Sequence, residues 1–449
     1  MGSMLDESRF QKISEQVFSL AAGYEVELIG VSHQEGLARF GNNKVSQHME
    51  GEDDELVIRV QKDRRLGRAT TNQMDSRALE QAVRKAIRMA ESQREQPDLL
   101  ELPPPQRYQP LNHCVERTTT ITPDEKVEQI REVVAQCQRQ KLTAAGIFSH
   151  GLQAIGVANS IGLLAFGHYT TASFSLTAMT PDSSGWAEAT HWDIGEIKPN
   201  DLAAVAIEKA LMSRRPKAMD PGRYTVVLEP AAVAELLLFM AWEGFGALPY
   251  QEGRSFLSGK LGQPILDERV TLLDDVYHPQ TIGIPFDFEG MPRRRVALIE
   301  KGIGRGVVYD RKTARKDGME STGHALPQPN TNGPLPLNLV MNGGDSELSE
   351  MLAGTERGLL ITHFHYTNLI EPTNLTITGM TRDGTFWIEK GRIRHPVKNF
   401  RFTESVVAAF NRIEAIGRKT VYASSFWGSG IVAPALKIRD FNFSSGTTF

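Results

Sequence analysis

Apolar residues in the first quarter of the chain follow two spacings. Between Phe10 and Ala21 they recur every three or four positions, which places them on one face of a helix. Three short runs at 24–31, 36–40 and 54–61 alternate apolar and polar residues and predict strands. Helical spacing returns after Ser76, where Asp75 or Ser76 can cap the first turn. Residues 4–96 therefore predict a helix, a sheet and a second helix.

A proline-rich segment at 97–110 interrupts this pattern. Its core is Pro103-Pro104-Pro105, which cannot continue a helix and predicts a stiff, extended connector. Thr122-Pro123-Asp124-Glu125 then combines an N-cap residue, a proline in the first turn and a capping-box glutamate, which predicts a helix to about residue 141. With β-rich runs at 146–180 and a helix at 201–214, residues 111–220 predict a continuation of an N-terminal mixed α/β domain.

Residues 221–449 predict a separate, β-rich C-terminal domain. A strand at 223–228 leads into the apolar helix Ala231 to Trp242, which is interrupted by Glu235. Beyond Gly259 the pattern predicts mostly short strands, including one at 306–309, with helices only at 345–353 and 404–416. The fold class predicted is α+β, with a C-terminal domain dominated by antiparallel sheet that is curved or closed.

Charge and cysteine content narrow the classes of function. The 50 Lys and Arg residues against 54 Asp and Glu residues give a formal charge of −4, so no global basic field favours direct binding of nucleic acid. The most apolar stretch, 231–242, is too short for a membrane span of about 18 residues. Cys114 and Cys137 cannot form a disulfide framework, and no signal peptide is evident, so we expect a cytoplasmic protein.

Three polar segments carry candidate chemistry. Gly302-Ile303-Gly304-Arg305-Gly306 lies between β-like runs and favours a hairpin turn over a phosphate loop. Asp287 and Glu289 precede a Gly-Met-Pro turn, where amide capping is favoured over acid/base chemistry. The stretch 293–316 holds nine basic and two acidic residues and favours a solvated or partner-facing surface.

His363 and His365 lie two residues apart in a β-run, so their imidazoles share one face of the strand. Two histidines can ligate one metal, and His395, Glu371 and Glu389 are candidates for a third ligand. The sequence pattern does not place any of these three residues beside the histidine pair. The favoured interpretation is therefore that His363 and His365 line a polar cleft or pack inside the protein.

Several segments extend together over nearly the whole chain. They are DDELVIRVQKDRRLGRATTNQMDSRALEQAVRKAIRMAE at 54–91, GVANSIG at 156–162, PGRYTVVLE at 221–229, SGKLGQ at 258–263, DFEGMP at 287–292, STGH at 321–324, PLNLVMNGG at 336–344, ERGLLIT at 356–362 and TGMTRDGTFWIEKGRIRHPVKNFRF at 378–402. In this order and spacing they resemble the TldD/PmbA family of metallopeptidases. The family implies that the C-terminal sheet is strongly twisted and barrel-like.

The family's catalytic subunit carries a His-Glu-x-x-x-His helix and a later cysteine as metal ligands. Spacing back from Ser258-Gly259, this chain has Leu238 at the first histidine, Phe239 at the glutamate and Glu243 at the second histidine, and no cysteine follows Cys137. Leucine and phenylalanine offer neither a lone pair for a metal nor a base for its water. The resemblance therefore identifies a TldE/PmbA-like subunit that lacks the motif.

The resemblance implies a non-catalytic, metal-free subunit of a TldD/TldE-type metalloprotease complex. It implies a TldD-like partner that holds the metal, unstructured peptides as substrates, and a part in peptide maturation or turnover. No catalytic or metal-binding residue is expected here; Glu243, His363 and His365 are the candidates for the substrate cleft. Two alternatives stay open: a divergent hydrolase with a site relocated to those three residues, and a self-associating, homodimeric peptide-binding protein.

Overall fold

The computed structural model of the protein describes residues 4–424 and 430–447. The N-terminal half contains five α-helices and six strands among the described residues. These are α1 (Glu7–Leu20), β1 (Glu25–Gly41), β2 (Lys44–Lys62), β3 (Arg65–Thr71), α2 (Ser76–Ser92), α3 (Glu116–Thr120), α4 (Pro123–Arg139), β4 (Thr143–Asn159), β5 (Leu164–Met179), β6 (Ser184–His191) and α5 (Pro199–Met212).

The six strands form one antiparallel sheet in the order β3-β2-β1-β4-β5-β6. The central pair, β1 and β4, joins the strands before the proline-rich segment to those after it, over a register that runs from Glu27↔Asn159 to Phe40↔Gly146. Helices α1 and α2 cover one hydrophobic cluster on this sheet, and α4 and α5 cover a second. Strand β6 is left at the edge of the sheet.

The predicted cap of α4 is confirmed. The Thr122 side chain accepts a hydrogen bond from the backbone of Glu125, and the Glu125 carboxylate accepts from the backbone of Thr122 at 2.8 Å.

The proline-rich segment is hydrogen-bonded to both halves of the chain. Asn159 Nδ2 donates to the carbonyl of Pro103 at 2.7 Å, and the Tyr108 hydroxyl donates to the carbonyl of Gly290 at 2.8 Å.

The C-terminal half consists of short helices and many strands. These are β7 (Gly222–Leu228), α6 (Pro230–Gly244), α7 (Ala247–Gln251), β8 (Leu272–Asp274), β9 (Val296–Glu300), β10 (Ile303–Gly304), α8 (Arg311–Asp317), β11 (Leu339–Met341), α9 (Leu348–Ala353), β12 (Arg357–Glu371), β13 (Thr376–Glu389), β14 (Arg392–Pro396), β15 (Phe400–Ser405), α10 (Val406–Phe410), β16 (Ile413–Ser424) and β17 (Gly430–Gly446).

The strands of this half form a single sheet whose middle closes on itself. Neighbouring strands follow the order β17-β15-β13-β12-β7, and β7 also pairs with β17, so five strands make a ring. The α+β fold class and the twisted, barrel-like sheet are confirmed. The sheet is mixed, because β7 pairs in parallel with β12 and β11 in parallel with β17. The main hydrophobic core fills this ring and surrounds α6.

Three local predictions in this half were wrong. Residues 306–309 form no strand; Val308 makes only one bridge, to Gly246. The helix expected at 404–416 is limited to α10, because from Ile413 the chain pairs with β17 as β16. Helix α8 was missed because it is short, polar and basic, with an aspartate cap at Asp310. The hairpin predicted at 302–306 is confirmed by the pairing of β9 with β10, with the turn itself at Lys301-Gly302.

Among the described residues, no helix is both long enough and apolar enough to cross a lipid bilayer.

Candidate functional site

Helix α6 carries Leu238, Phe239 and Glu243, the residues that the resemblance predicts at the motif position. Glu229 leads from β7 into the helix, and Pro230 stands in its first turn. Apolar side chains cover all sides of the helix, which is typical of a fully buried helix rather than an amphipathic one. It packs against the ring strands β12 and β17 and against β16, which pairs with β17. Any functional group on α6 is therefore enclosed by the C-terminal domain.

Leu238 and Phe239 are part of the hydrophobic core. Their exposed fractions are 5% and 3%, and the ring of Phe239 lies 6.2 Å from that of Trp242. Neither side chain can donate a lone pair to a metal or take a proton from water. The residues present at the motif position do not fit a catalytic metal.

Glu243, at the position of the second motif histidine, forms an ion pair. Its side chain is 13% exposed, and its carboxylate accepts from Arg254 Nη1 at 3.0 Å. Arg254 also donates to Glu252 at 2.7 Å. Among the described residues, no group of three or more His, Cys, Asp or Glu side chains is arranged to hold a metal ion. Glu243 is thus neutralised by a cation from the following loop.

His363 lies where the N-terminal sheet meets the C-terminal ring. Its Nε2 is 3.0 Å from the Asp383 carboxylate on β13, and its ring stacks on Trp186 of β6 at 4.5 Å. Asp383 also accepts from the Ser184 hydroxyl of β6 at 2.5 Å. Burial alone would raise the pKa of Asp383, but the hydrogen bond and charge of His363 lower it overall. Asp383 therefore stays ionised although it is buried.

Two further carboxyl groups approach His363, from β6 and from α6. Burial raises the pKa of Glu188 and of Glu235, and in both cases the charge of His363 opposes the shift. The Thr367 hydroxyl donates to Glu235. His363 is thus bonded to Asp383 and interacts electrostatically with Glu188 and Glu235. The sequence pattern did not predict this cluster. Glu235, a charged residue inside an otherwise apolar helix, was the signal that could have indicated one of its members.

The three residues predicted to line the substrate cleft, Glu243, His363 and His365, do not form one site. Eight residues separate Glu235 from Glu243 along α6, which corresponds to about 12 Å of helix rise. Glu243 pairs with Arg254, whereas His363 pairs with Asp383 and approaches Glu235. His365 packs against the ring of Tyr366 at 4.4 Å, and burial lowers its pKa. The site around His363 is therefore made with partners that sequence reasoning did not name.

The His363 cluster can bind polar groups, but it lacks the arrangement of a hydrolytic triad. In such a triad the nucleophile donates to the imidazole, and the imidazole is oriented by the carboxylate. Here Ser184 donates to the carboxylate itself. The cluster instead presents an imidazole, carboxyl groups and hydroxyls at the junction of two sheets.

The carboxylates at the Gly-Met-Pro turn have structural partners. Asp287 accepts from the backbone of Glu289, Met291 and Ala325 at 2.9, 2.9 and 2.8 Å, which confirms the capping interpretation. A second buried pair, Asp274 and His324, is joined at 2.8 Å. These contacts fix the long loops between α7 and β11.

Three family models match the chain. They are the PmbA/TldA metallopeptidase domain 1 at 26–90, its central domain at 116–214 and its C-terminal domain at 221–445. Among curated proteins, the chain is 25% identical to the metalloprotease PmbA of Escherichia coli over 410 residues, 86% of each chain. It is 24% identical to an uncharacterized protein of Methanocaldococcus jannaschii, over 72% of this chain and 74% of that protein.

Similarity to a metalloprotease TldD homolog of Haemophilus influenzae is shorter, with 26% identity over 50% of this chain and 47% of that protein. Two solved structures share the fold at 20% identity. They are TldE from Thermococcus kodakarensis, with a TM-score of 0.88, and a putative modulator of a DNA gyrase from Thermotoga maritima, with a TM-score of 0.86. In both cases the superposition includes 97% of this chain and 100% of the other chain.

Proposed function

Because this chain belongs to the PmbA/TldD metallopeptidase family, we propose that it is the non-catalytic subunit of a TldD/TldE-type metalloprotease complex. The observation that carries the proposal is the burial of Leu238 and Phe239 at the motif position. These side chains cannot hold a metal or activate water, so in this proposal the metal and the general base belong to a TldD-like partner.

In this proposal the chain shapes a cavity through which unstructured peptides reach the partner's metal. The polar cluster around His363 supports that role, because an imidazole, three carboxyl groups and nearby hydroxyls can hydrogen-bond to a peptide backbone. The complex would act in maturation or turnover of peptides in the cytoplasm.

The test compares the purified chain alone with the same chain mixed with a TldD-like protein that has an intact His-Glu-x-x-x-His motif. The chain alone should neither cleave an unfolded fluorogenic peptide nor retain stoichiometric metal by elemental analysis. The mixture should elute as one complex and cleave the peptide. Replacing the partner's motif glutamate by glutamine should abolish cleavage. Cleavage or stoichiometric metal in the lone chain overturns the proposal, as does failure to form a complex.

The relocated-site alternative is separated by a double variant, His363→Ala with His365→Ala. If chemistry resides in the partner, the complex should keep its cleavage step while peptide binding weakens. If the lone wild-type chain is active and the double variant is not, the relocated hydrolase is the correct reading. Light scattering of the lone chain, with and without peptide, distinguishes a self-associating peptide-binding protein from a subunit that needs its partner.

A further inference from the structure

The first part of β2, residues 44–55, is an open edge of the N-terminal sheet. One side of β2 pairs with β1 along its length, whereas β3 covers the other side only from Leu56 onward. Within residues 4–424 and 430–447, no strand pairs with the open edge on that second side. The edge is about 40 Å long at 3.3 Å per residue. Its unpaired backbone groups can pair with a strand of another chain.

The open edge has a defined length. It begins after the hairpin turn Asn42-Asn43, where both residues have positive φ, and it ends where Leu56 pairs with Thr71 of β3. All residues from 44 to 53 are exposed, and none of them is proline, so no backbone N–H is missing. A segment that pairs here must therefore be an extended strand of about ten residues.

The charges along the open edge are arranged for pairing with a reversed copy of the same strand. Lys44 lies at one end, and Glu50, Glu52 and Asp53 lie toward the other. Antiparallel strands related by a twofold axis place residues of the same face opposite each other, so the axis passes through one residue of the strand. Opposite charges across such a pair stabilise it, and like charges destabilise it.

An axis at Met49 satisfies the charge condition at the centre of the pair. It places His48 opposite Glu50 of the other copy, and within one chain these two side chains already lie 3.8 Å apart. An axis at Glu50 would instead place two carboxylates opposite each other. The charges therefore select Met49 as the centre.

The ends of the two edges also match when the axis is at Met49. Strand β2 has a bulge at Ser46 in its pairing with β1. With one residue displaced there, Lys44 falls opposite Asp53 of the other copy. The turn at 42–43 then lies opposite residues 54–55, so each edge is filled before β3 of the other copy begins.

Met49 gives the pair an apolar centre. Its side chain is 46% exposed, and it pairs with Leu37 of β1. The axis brings the two Met49 side chains together, so Leu37 and Met49 of both copies form one apolar row across the joined sheets. Removing this methionine surface from water favours association.

We propose that two copies of this chain associate by antiparallel pairing of β2 with β2, centred on Met49, which joins their six-stranded sheets into one. In the order of the sheet, the open edge lies on the side away from β6, the strand that contacts His363. The inference therefore uses none of the residues on which the proposed subunit role depends. Association through β2 by itself does not favour the peptide-binding alternative.

The first experiment measures the dimer Kd of the full chain by sedimentation, at chain concentrations of about 1 to 100 μM. The wild type should reach twice the mass of the 49.8 kDa chain. Met49→Glu places two carboxylates opposite each other and should raise the Kd at least about tenfold. Met89→Glu is the matched control, because Met89 is 44% exposed on α2, outside the open edge, and should leave the Kd unchanged.

Lys44→Glu and Asp53→Lys test the register. Each variant alone places like charges opposite each other at both ends of the pair and should raise the Kd at least about fivefold. An equimolar mixture of the two variants should recover the wild-type Kd, because both end pairs of the mixed dimer again join a cation to a carboxylate.

Cysteine cross-linking gives an independent readout. Residues directly opposite in an antiparallel pair have Cα atoms about 4.5–5.5 Å apart, which a disulfide can span. Met49→Cys should therefore cross-link two chains in oxidised glutathione. Gln47→Cys should not, because an offset of four residues puts about 13 Å between its two copies. The wild type, with Cys114 and Cys137, gives the background.

A wild-type chain that stays monomeric up to about 100 μM overturns the proposal. So does a Met49→Glu dimer as tight as that of Met89→Glu, because association then uses another surface. Failure of the mixed variants to recover the dimer, or equal cross-linking at the two cysteine positions, overturns the pairing centred on Met49. Circular dichroism of each variant shows that the fold is kept. Since neither a TldD-like protein nor peptide cleavage is involved, this result and the test of the proposed function can fail separately.

Discussion

At the scale of single residues, Glu235 has the most unusual environment among the carboxyl groups of α6. It lies in an otherwise apolar helix, accepts a hydrogen bond from Thr367 and faces the charge of His363. Burial nevertheless prevails and raises its pKa above the ordinary value. A buried carboxyl of this kind stabilises the folded protein when it is protonated and less so when it ionises.

Because the pKa of Glu235 is raised in the folded protein, the effect of Glu235→Gln on stability should depend on pH. The stabilisation from neutral Glu235 is complete below the pKa of the unfolded chain and is lost as pH rises through the higher folded-state pKa. Glutamine keeps an acceptor for Thr367 and does not ionise. The thermal midpoint of the variant, relative to wild type, should therefore rise between pH 4 and pH 7.5, measured by calorimetry.

Glu208→Gln is the control for this comparison, because Glu208 is exposed on α5. Its midpoint difference from wild type should stay nearly constant over the same range. A difference for Glu235→Gln that also stays constant would contradict the proposed burial of its charge.

At the scale of elements, α6 is a buried apolar helix that carries Leu238 and Phe239, the residues on which the proposed function depends. The helix follows β7 directly and is held inside the ring by its apolar surface. Leu238 and Phe239 contribute to that surface. In the proposed function, the two residues that stand in place of metal ligands therefore also supply core packing.

This dual effect predicts that restoring one motif residue fails. Phe239→Glu would place a carboxylate in the core without a partner and should lower the free energy of unfolding by about 3 kcal/mol or more. Phe239→Leu, which remains apolar, should cost about 1 kcal/mol. Denaturant unfolding followed by elemental analysis checks both. A Phe239→Glu protein with unchanged stability and bound zinc would show that the position still accommodates a metal site.

At the scale of the whole molecule, β6 joins the two sheets. Ser184 and Trp186 of this strand contact Asp383 and His363 of the ring, and the hydroxyls of Thr190 and Ser424 lie 2.7 Å apart. These contacts link elements far apart in sequence, so they align the polar cluster around His363 with both halves of the chain. The proposed peptide path depends on that alignment.

Trp186→Ala should loosen this junction. The loss of the stacked ring should cost about 1 to 3 kcal/mol and lower the temperature at which the two halves unfold, or separate their transitions in calorimetry. Trp186→Phe should restore much of the loss, since it keeps a ring over His363. If Trp186→Ala has the same thermogram as wild type, the stacking contact does not couple the halves.

The sequence determined the parts whose physics is local. Thr122, Pro123 and Glu125 were sufficient to place the start of α4, because a capping box satisfies backbone groups within one turn. The apolar composition of 231–242 predicted a helix there, and the family resemblance placed Leu238 and Phe239 on it and Glu243 just after it. The resemblance supplied the motif position, and residue chemistry then predicted that leucine and phenylalanine cannot hold a metal there.

Only the tertiary structure decided features that depend on long-range pairing. The ring closes because β7 meets both β12 and β17. A separate pairing, of β16 with β17, makes the residues from Ile413 onward a strand rather than a helix. The cluster of Glu188, Glu235 and Asp383 around His363 draws on four elements, so no spacing in the chain reveals it. Local sequence specifies caps and helices, whereas charges that meet across sheets are set by how the sheets close.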